Sequence, residues 1–90
     1  DGAKDAAYLS FSTQPTGGAL TERMRITSKG NVTIGNAALA TSATDGFLYI
    51  PTCAGTPTGT PTAYTGRVAM VFDTTNNKAY IYDGGWIALN

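Results

Sequence analysis

The sequence contains no histidine and only one cysteine, Cys53, in a chain of 90 residues. Without histidine there can be no Ser-His-Asp triad, no imidazole base beside a thiolate and no Cys/His metal site. A single cysteine also excludes a disulfide within the chain. We therefore expect Cys53 to be a small, partly buried side chain, and we expect neither a metal ion nor a cofactor.

Charged residues are sparse, because six acidic and six basic residues give a formal net charge of zero. The densest basic group is Arg23, Arg25 and Lys29, which is not the basic stripe of a nucleic-acid-binding protein, so no nucleic-acid partner is expected. Long apolar runs are missing too. The runs that are present, such as residues 47–50, are far shorter than the roughly 20 residues that span a bilayer, so membrane insertion is not expected.

Good helix formers are scarce, whereas Thr, Gly and Pro make up about a third of the chain. Thr favours strands, and Gly and Pro favour turns, so the composition predicts an all-β fold of short antiparallel strands and hairpins. Only residues 36–45 could form a helical turn or two. Because the chain begins with Asp1 rather than Met, we interpret it as a fragment or a processed product.

The first half contains three segments in which apolar and polar residues alternate, at 7–13, 22–27 and 31–35. This alternation predicts half-buried strands. The "SKGN" between the second and third segments predicts a hairpin turn in which Gly30 adopts a positive φ angle. Each strand has only two sizeable apolar side chains on its apolar face, namely Leu9 and Phe11, Met24 and Ile26, and Val32 and Ile34.

The second half predicts a strand at 47–52, an ordered Pro-rich loop at 51–66, and then three strands separated by two turns. The turns are expected at "TTNN" (74–77) and at Gly84-Gly85. Asp73 and Asp83 each stand at a predicted strand end, where a carboxylate can accept hydrogen bonds from turn amides. We expect the loop to be ordered because the side chains of Cys53 and Tyr64 can be buried.

These short strands would give a lone chain of this size only a thin core. Several chains around one axis could each contribute a narrow apolar face to a common core. Closed symmetry is the usual way to arrange such chains, and it also shelters the sheet edges. The thin apolar faces therefore suggest the hypothesis of a symmetric oligomer.

Two stretches carry a family resemblance: "LSFST" followed by "GGALTERMRITSKGNVTIG", and residues 46–89, from "GFLYIPTC" to "GGWIAL". Together they cover most of the chain and resemble the distal, C-terminal region of bacteriophage tail fibres and tailspikes. The chain departs from the family phrase at Thr33, where Gly is frequent, and at the "NAALATS" that follows. No self-cleavage chemistry is transferred, because residues 1–90 contain no segment that resembles a chaperone-protease domain.

The resemblance implies an elongated, intertwined homotrimeric fibre, extracellular and part of the virion, that attaches to a host cell-surface glycan or protein. It implies a shaft-like β segment at 1–46 and a small β-rich tip at 47–90. It also places six side chains at a shared trimer core, with Arg23 and Arg25 outside; the six are Leu9, Phe11, Met24, Ile26, Val32 and Ile34.

Aromatic residues are concentrated in the last third of the chain. Because Tyr and Trp offer a flat apolar face and a polar group, four of them are candidates for receptor contacts: Tyr64, Tyr80, Tyr82 and Trp86. Trp86 follows two glycines and begins a short apolar strand, so it is interpreted first as a core residue and only second as a receptor contact. Tyr80 and Tyr82 share one face of their strand and are the better candidates if that face is exposed.

Four carboxylates could in principle supply the pair that glycoside hydrolysis needs: Glu22, Asp45, Asp73 and Asp83. The aspartates stand in turn-forming sequence, where Asp is common for backbone reasons, and a shallow domain leaves little room for a deep active site. The sequence therefore predicts a protein that is not an enzyme. The alternatives are a non-catalytic accessory module of a polysaccharide-degrading tailspike and a segment of a bacterial surface adhesin.

Overall fold

The computed structural model describes residues 7–90, which form seven strands and no helix, confirming the all-β fold class. Two compact units divide the chain, the first ending at Leu48 and the second comprising Tyr49–Asn90. Residues 7–90 contain no helix that is long and apolar enough to cross a membrane. The strands are β1 (Leu9–Thr13), β2 (Thr21–Ile26), β3 (Val32–Ile34), β4 (Thr52–Cys53), β5 (Ala69–Asp73), β6 (Lys78–Tyr82) and β7 (Trp86–Ala88).

The first unit contains a three-stranded antiparallel sheet in the order β1-β2-β3. The predicted turn between β2 and β3 is confirmed. The amide of Gly30 donates to the carbonyl of Thr27 at 2.9 Å, and the amide of Thr27 donates to the carbonyl of Asn31 at 2.8 Å. Gly30 has a φ of 89°, a left-handed conformation that glycine adopts without steric cost.

A β-bulge in this sheet changes the placement of one arginine. Phe11 is opposite Met24 but Ser12 is opposite Glu22, so Arg23 is the extra residue. Its Nε donates to Thr13 Oγ1 at 2.8 Å, at the end of the face that carries Phe11. The sequence predicted that Arg23 and Arg25 both lie on the face opposite the apolar side chains. This is wrong for Arg23, because the bulge interrupts the alternation on which the prediction was based.

The second unit contains a four-stranded mixed sheet in the order β4-β5-β6-β7. The predicted turns after β5 and β6 are both present, with Asn77 at a φ of 57° and Gly84 at 72°. The strands are not all antiparallel as predicted, because β4 runs parallel to β5. A parallel pair needs a long crossover, which residues 54–68 provide.

The predicted strand at 47–52 is wrong except at its end, where β4 begins at Thr52. Pro51 has no backbone N–H, and its carbonyl instead accepts from the amide of Phe72 at 3.1 Å, so pairing starts only here. Phe47, Leu48 and Tyr49 are exposed. Residues 36–45 form no helix; the amide of Ala43 donates to the carbonyl of Ala40, which closes a single turn.

Buried side chains are few. Within residues 7–90, Tyr80 is the one buried hydrophobic residue, with 8% of its surface exposed, and Asp73 is the one buried charged residue, at 0%. Most sizeable apolar side chains are half-buried or exposed. The thin core that the sequence predicted for a single chain is therefore confirmed.

Candidate functional site

The loop at 54–68 is fastened to the second sheet at two points. Trp86 Nε1 donates to the carbonyl of Gly59 at 2.7 Å, and the amide of Gly55 donates to Asp73 Oδ1 at 2.9 Å. Asp73 and Trp86 lie on the same sheet face as Tyr80, as the register of β5, β6 and β7 shows. The loop is therefore attached to the face that holds the one buried apolar side chain.

The carboxylate of Asp73 accepts four hydrogen bonds. Its Oδ1 accepts from the amides of Gly55 and Thr75, each at 2.9 Å, and from the amide of Asn76 at 3.2 Å. Its Oδ2 accepts from Asn76 Nδ2 at 2.8 Å. The predicted role at a strand end is confirmed, and the carboxylate additionally ties the Pro-rich loop to the turn at 74–77.

The pKa of Asp73 reflects two opposing effects. Burial disfavours the charged carboxylate and by itself raises the pKa. The side-chain hydrogen bond from Asn76 and the backbone hydrogen bonds from Asn76, Gly55 and Thr75 favour the charged form. Together they outweigh burial, so the pKa of Asp73 lies below its ordinary value of 3.8.

The lowered pKa of Asp73 predicts that the second unit loses stability in acid. The unfolded chain binds a proton at higher pH than the folded chain, so this stabilisation is complete above pH 3.8 and falls as the pH drops through the lower, folded pKa. Thermal melts between pH 7 and pH 2, with Asp73→Ala as the control, measure the effect. A parallel acid loss in both proteins would show that another group is responsible.

A groove opens beside the exposed end of the loop and has a volume of about 200 Å³. Tyr64 and Arg67 flank a tight turn in which the amide of Arg67 donates to the carbonyl of Tyr64 at 3.0 Å. The groove forms where β5 begins and β6 ends, since Ala69 and Tyr82 are paired. Its lining includes Pro61, Tyr64, Arg67, Val68, Tyr82 and Asp83.

The four aromatic receptor candidates differ in exposure. Tyr80 and Tyr82 are the better candidates only if their strand face is exposed. Tyr80 is buried and does not meet this condition. Tyr82 and Trp86 are half-buried and form an edge-to-face pair with ring centroids 5.1 Å apart. Tyr64 is 64% exposed, so the expectation that the loop buries it is wrong. Tyr64 is consequently the candidate with the most free surface for a ligand.

Sequence reasoning missed Arg67 and Asp83 as residues of this groove. The signal available was "YTGR", an aromatic residue and an arginine separated by two turn-forming residues. Gly66 has a φ of 77°, which completes the turn and brings Tyr64 and Arg67 into register. The contribution of Asp83 to the groove depends on the pairing of β5 with β6, so it could not be predicted from the sequence of one segment.

The apolar face of the first sheet is the second candidate site. Its six side chains form two rows across the three strands, because Leu9 pairs with Ile26 and Phe11 with Met24, while β3 continues both rows. The four on the outer strands are exposed by 45–57%. These are the trimer-core candidates of the sequence: Leu9, Phe11, Met24, Ile26, Val32 and Ile34.

The opposite face of the same sheet is polar. Arg25 lies there between Glu22 and Tyr8, with Nη2 2.9 Å from Glu22 Oε1 and the guanidinium carbon 4.0 Å from the centre of the Tyr8 ring. The bulge makes this possible, because it brings Glu22 to the same side as Arg25. The two faces therefore differ in chemistry: one carries the ion pair of Arg25 with Glu22, and the other carries the apolar rows, with the Arg23–Thr13 hydrogen bond at one end.

Two of the four carboxylates that were considered for glycoside hydrolysis are engaged by other groups within residues 7–90. Glu22 is engaged by Arg25, and Asp73 is enclosed by its four hydrogen bonds. No group of three potential metal-ligating side chains occurs within residues 7–90. Comparison of the chain with models of protein families, with curated proteins and with solved structures gives no match.

Proposed function

We propose that the chain is the distal, structural and host-recognition part of a phage tail fibre, in which three copies assemble and present loops to a cell-surface receptor. The observation that carries the proposal is the uncovered apolar face of the first sheet. It supports an assembly whose members supply each other's core. The phage context itself comes from the resemblance of the sequence.

The apolar face is large enough to govern folding. Fully burying an aliphatic or aromatic side chain contributes about 1.5–3 kcal/mol, and roughly half of each outer side chain is still exposed. Covering all six would add on the order of 4–7 kcal/mol per chain, which is comparable with the total stability of a marginally stable small domain. A chain within the assembly would therefore gain stabilisation from apolar burial that a single chain lacks.

The second sheet supports the same proposal, because its face opposite Tyr80 is also uncovered. The register places four apolar side chains there, and Met70 and Ile87 are 44% and 48% exposed. The four are Met70, Phe72, Ile81 and Ile87. Each unit, taken by itself, therefore has an apolar sheet face with side chains that are about half exposed.

Recognition is proposed to occur at the groove beside Tyr64, without catalysis. Its small volume suits a shallow contact with a receptor, most simply one sugar residue of a surface glycan. Threefold repetition would compensate for weak single contacts through avidity. The protein would act outside the cell, as part of the virion, with its own copies and the host receptor as partners.

The recognition half of the proposal predicts that Tyr64→Ala lowers adsorption to host cells by at least about tenfold, since a stacked aromatic is a dominant contact and three sites are lost together. Adsorption of the fluorescently labelled protein measures this. Tyr49→Ala is the matched control, because Tyr49 is 84% exposed and outside the groove. Equal adsorption by both variants and the parent protein would refute the assignment.

A further inference from the structure

The groove beside Tyr64 carries three side chains that are free to bind a ligand. Within residues 7–90, no hydrogen bond or ion pair engages the phenol of Tyr64, the guanidinium of Arg67 or the carboxylate of Asp83. All three residues are exposed and line the same hollow. The groove thus combines an aromatic surface, a cation and an anion, none of which is used by the fold.

The backbone fixes the positions from which these side chains extend. The turn at 64–67 is closed by its own hydrogen bond, and the amide of Asp83 donates to the carbonyl of Gly85 at 2.9 Å. Tyr82, which also lines the groove, is held by its edge-to-face contact with Trp86. Little ordering of the main chain is therefore needed when a ligand enters, which favours binding.

We propose that this groove binds one acidic pyranose, a sugar ring bearing a carboxylate, with that carboxylate on Arg67, a ring face on Tyr64 and hydroxyl groups on Asp83. The proposal rests on the proposed function, which it deepens by naming the class of receptor sugar. Tyr64 and Arg67 are the positions that confer the binding, and Asp83 orients the ring.

The choice of an acidic sugar follows from the charges. A guanidinium presents paired N–H donors that match a carboxylate, and an unpaired arginine on a fixed turn can make this bond without losing another. Asp83 repels a carboxylate and accepts hydrogen bonds from hydroxyl groups, so the two charged residues allow only one orientation of the ring. The apolar surfaces of Pro61 and Val68 suit its C–H groups.

The groove offers a shallow surface of the size of one sugar ring. Its volume is about 200 Å³, and an adjoining hollow of about 360 Å³ shares Pro61, Tyr64, Arg67 and Val68 with it. Binding at one site is accordingly expected to be weak, with a dissociation constant in the millimolar range, and selective for charge rather than for chain length.

The test is a titration of the whole protein, followed by NMR, with methyl β-glucuronoside and methyl β-glucoside, which differ by a carboxylate. We expect shifts of the amide resonances of 64–67 and 83–85 and binding of the glucuronoside at least tenfold tighter than the glucoside. Arg67→Gln should abolish this preference, whereas Lys29→Gln, the same charge loss in the first unit, should preserve it. Tyr64→Ala should weaken binding of both sugars.

Three outcomes would overturn the inference: equal binding of the two sugars, no shifts at either turn, or an unchanged preference in Arg67→Gln. The proposed function is tested separately by the mass and the cell adsorption of the same preparation. A trimer that adsorbs to cells without binding the glucuronoside would refute the acidic-sugar site alone. A monomer that binds the glucuronoside but does not adsorb would refute the fibre function alone.

Discussion

Replacing Ile26 by Asp is expected to dissociate the assembly and to leave the chain largely unfolded or aggregated. Ile26 lies on the central strand of the first sheet, paired with Leu9 on one side and Val32 on the other. In the proposed trimer a carboxylate at this position would be buried in each of three chains, and each would cost several kilocalories per mole. Size-exclusion chromatography with light scattering and far-ultraviolet circular dichroism measure the result.

Thr33→Asp is the matched control for this experiment. Thr33 is one residue from Val32 on the edge strand and is paired with Arg25, so its side chain belongs to the polar face. The same carboxylate should be tolerated there, next to a cation. If Ile26→Asp remains a stable oligomer, the apolar face of the first sheet is not the subunit core; if both variants dissociate, the two faces do not differ as proposed.

Replacing Asp73 by Ala is expected to lower the melting temperature of the second unit by at least about 10 °C, because four part-buried hydrogen bonds to a charged acceptor are lost together. The loop at 54–68 should also loosen, since Asp73 is one of its two attachment points. Amide hydrogen exchange at Gly55 and Thr75 should accelerate, while exchange in the first unit should not change.

Two further substitutions separate this explanation from a general loss of charge. Asp73→Asn keeps the shape and one acceptor oxygen but turns an amide group towards Asn76 Nδ2, so its effect should be intermediate. Asp83→Ala removes a carboxylate from the end of β6, where the residue is exposed, and should alter the melting temperature little. Equal melting temperatures for Asp73→Ala and Asp83→Ala would contradict the role of Asp73.

The parts of the fold that the sequence predicted are those governed by local pattern. Alternation of apolar and polar residues identified most of the strands, and turn chemistry located Gly30 and the 74–77 turn. What it missed depends on partners distant in the chain. β4 is two residues long and is defined by its pairing with β5, and the bulge at Arg23 reflects the register of two strands rather than either strand alone.

The candidate site shows the same limit. Composition directed attention to the aromatic residues of the last third, but composition cannot distinguish the buried Tyr80 from the exposed Tyr64. In the structure, the loop is attached through Trp86 and Asp73 to the sheet face that carries Tyr80, whereas Tyr64 lies at the exposed turn of the loop. Arg67 became a candidate only when the register brought it beside Asp83 in one groove.

The central claim is that three copies of the chain complete a core that one copy lacks. The most direct test is the mass of the 90-residue protein in solution by multi-angle light scattering, combined with a thermal melt on the same sample. We predict a mass about three times the 9.3 kDa of one chain, with a cooperative melt that depends on protein concentration. A species of 9.3 kDa with a cooperative, concentration-independent melt would contradict it.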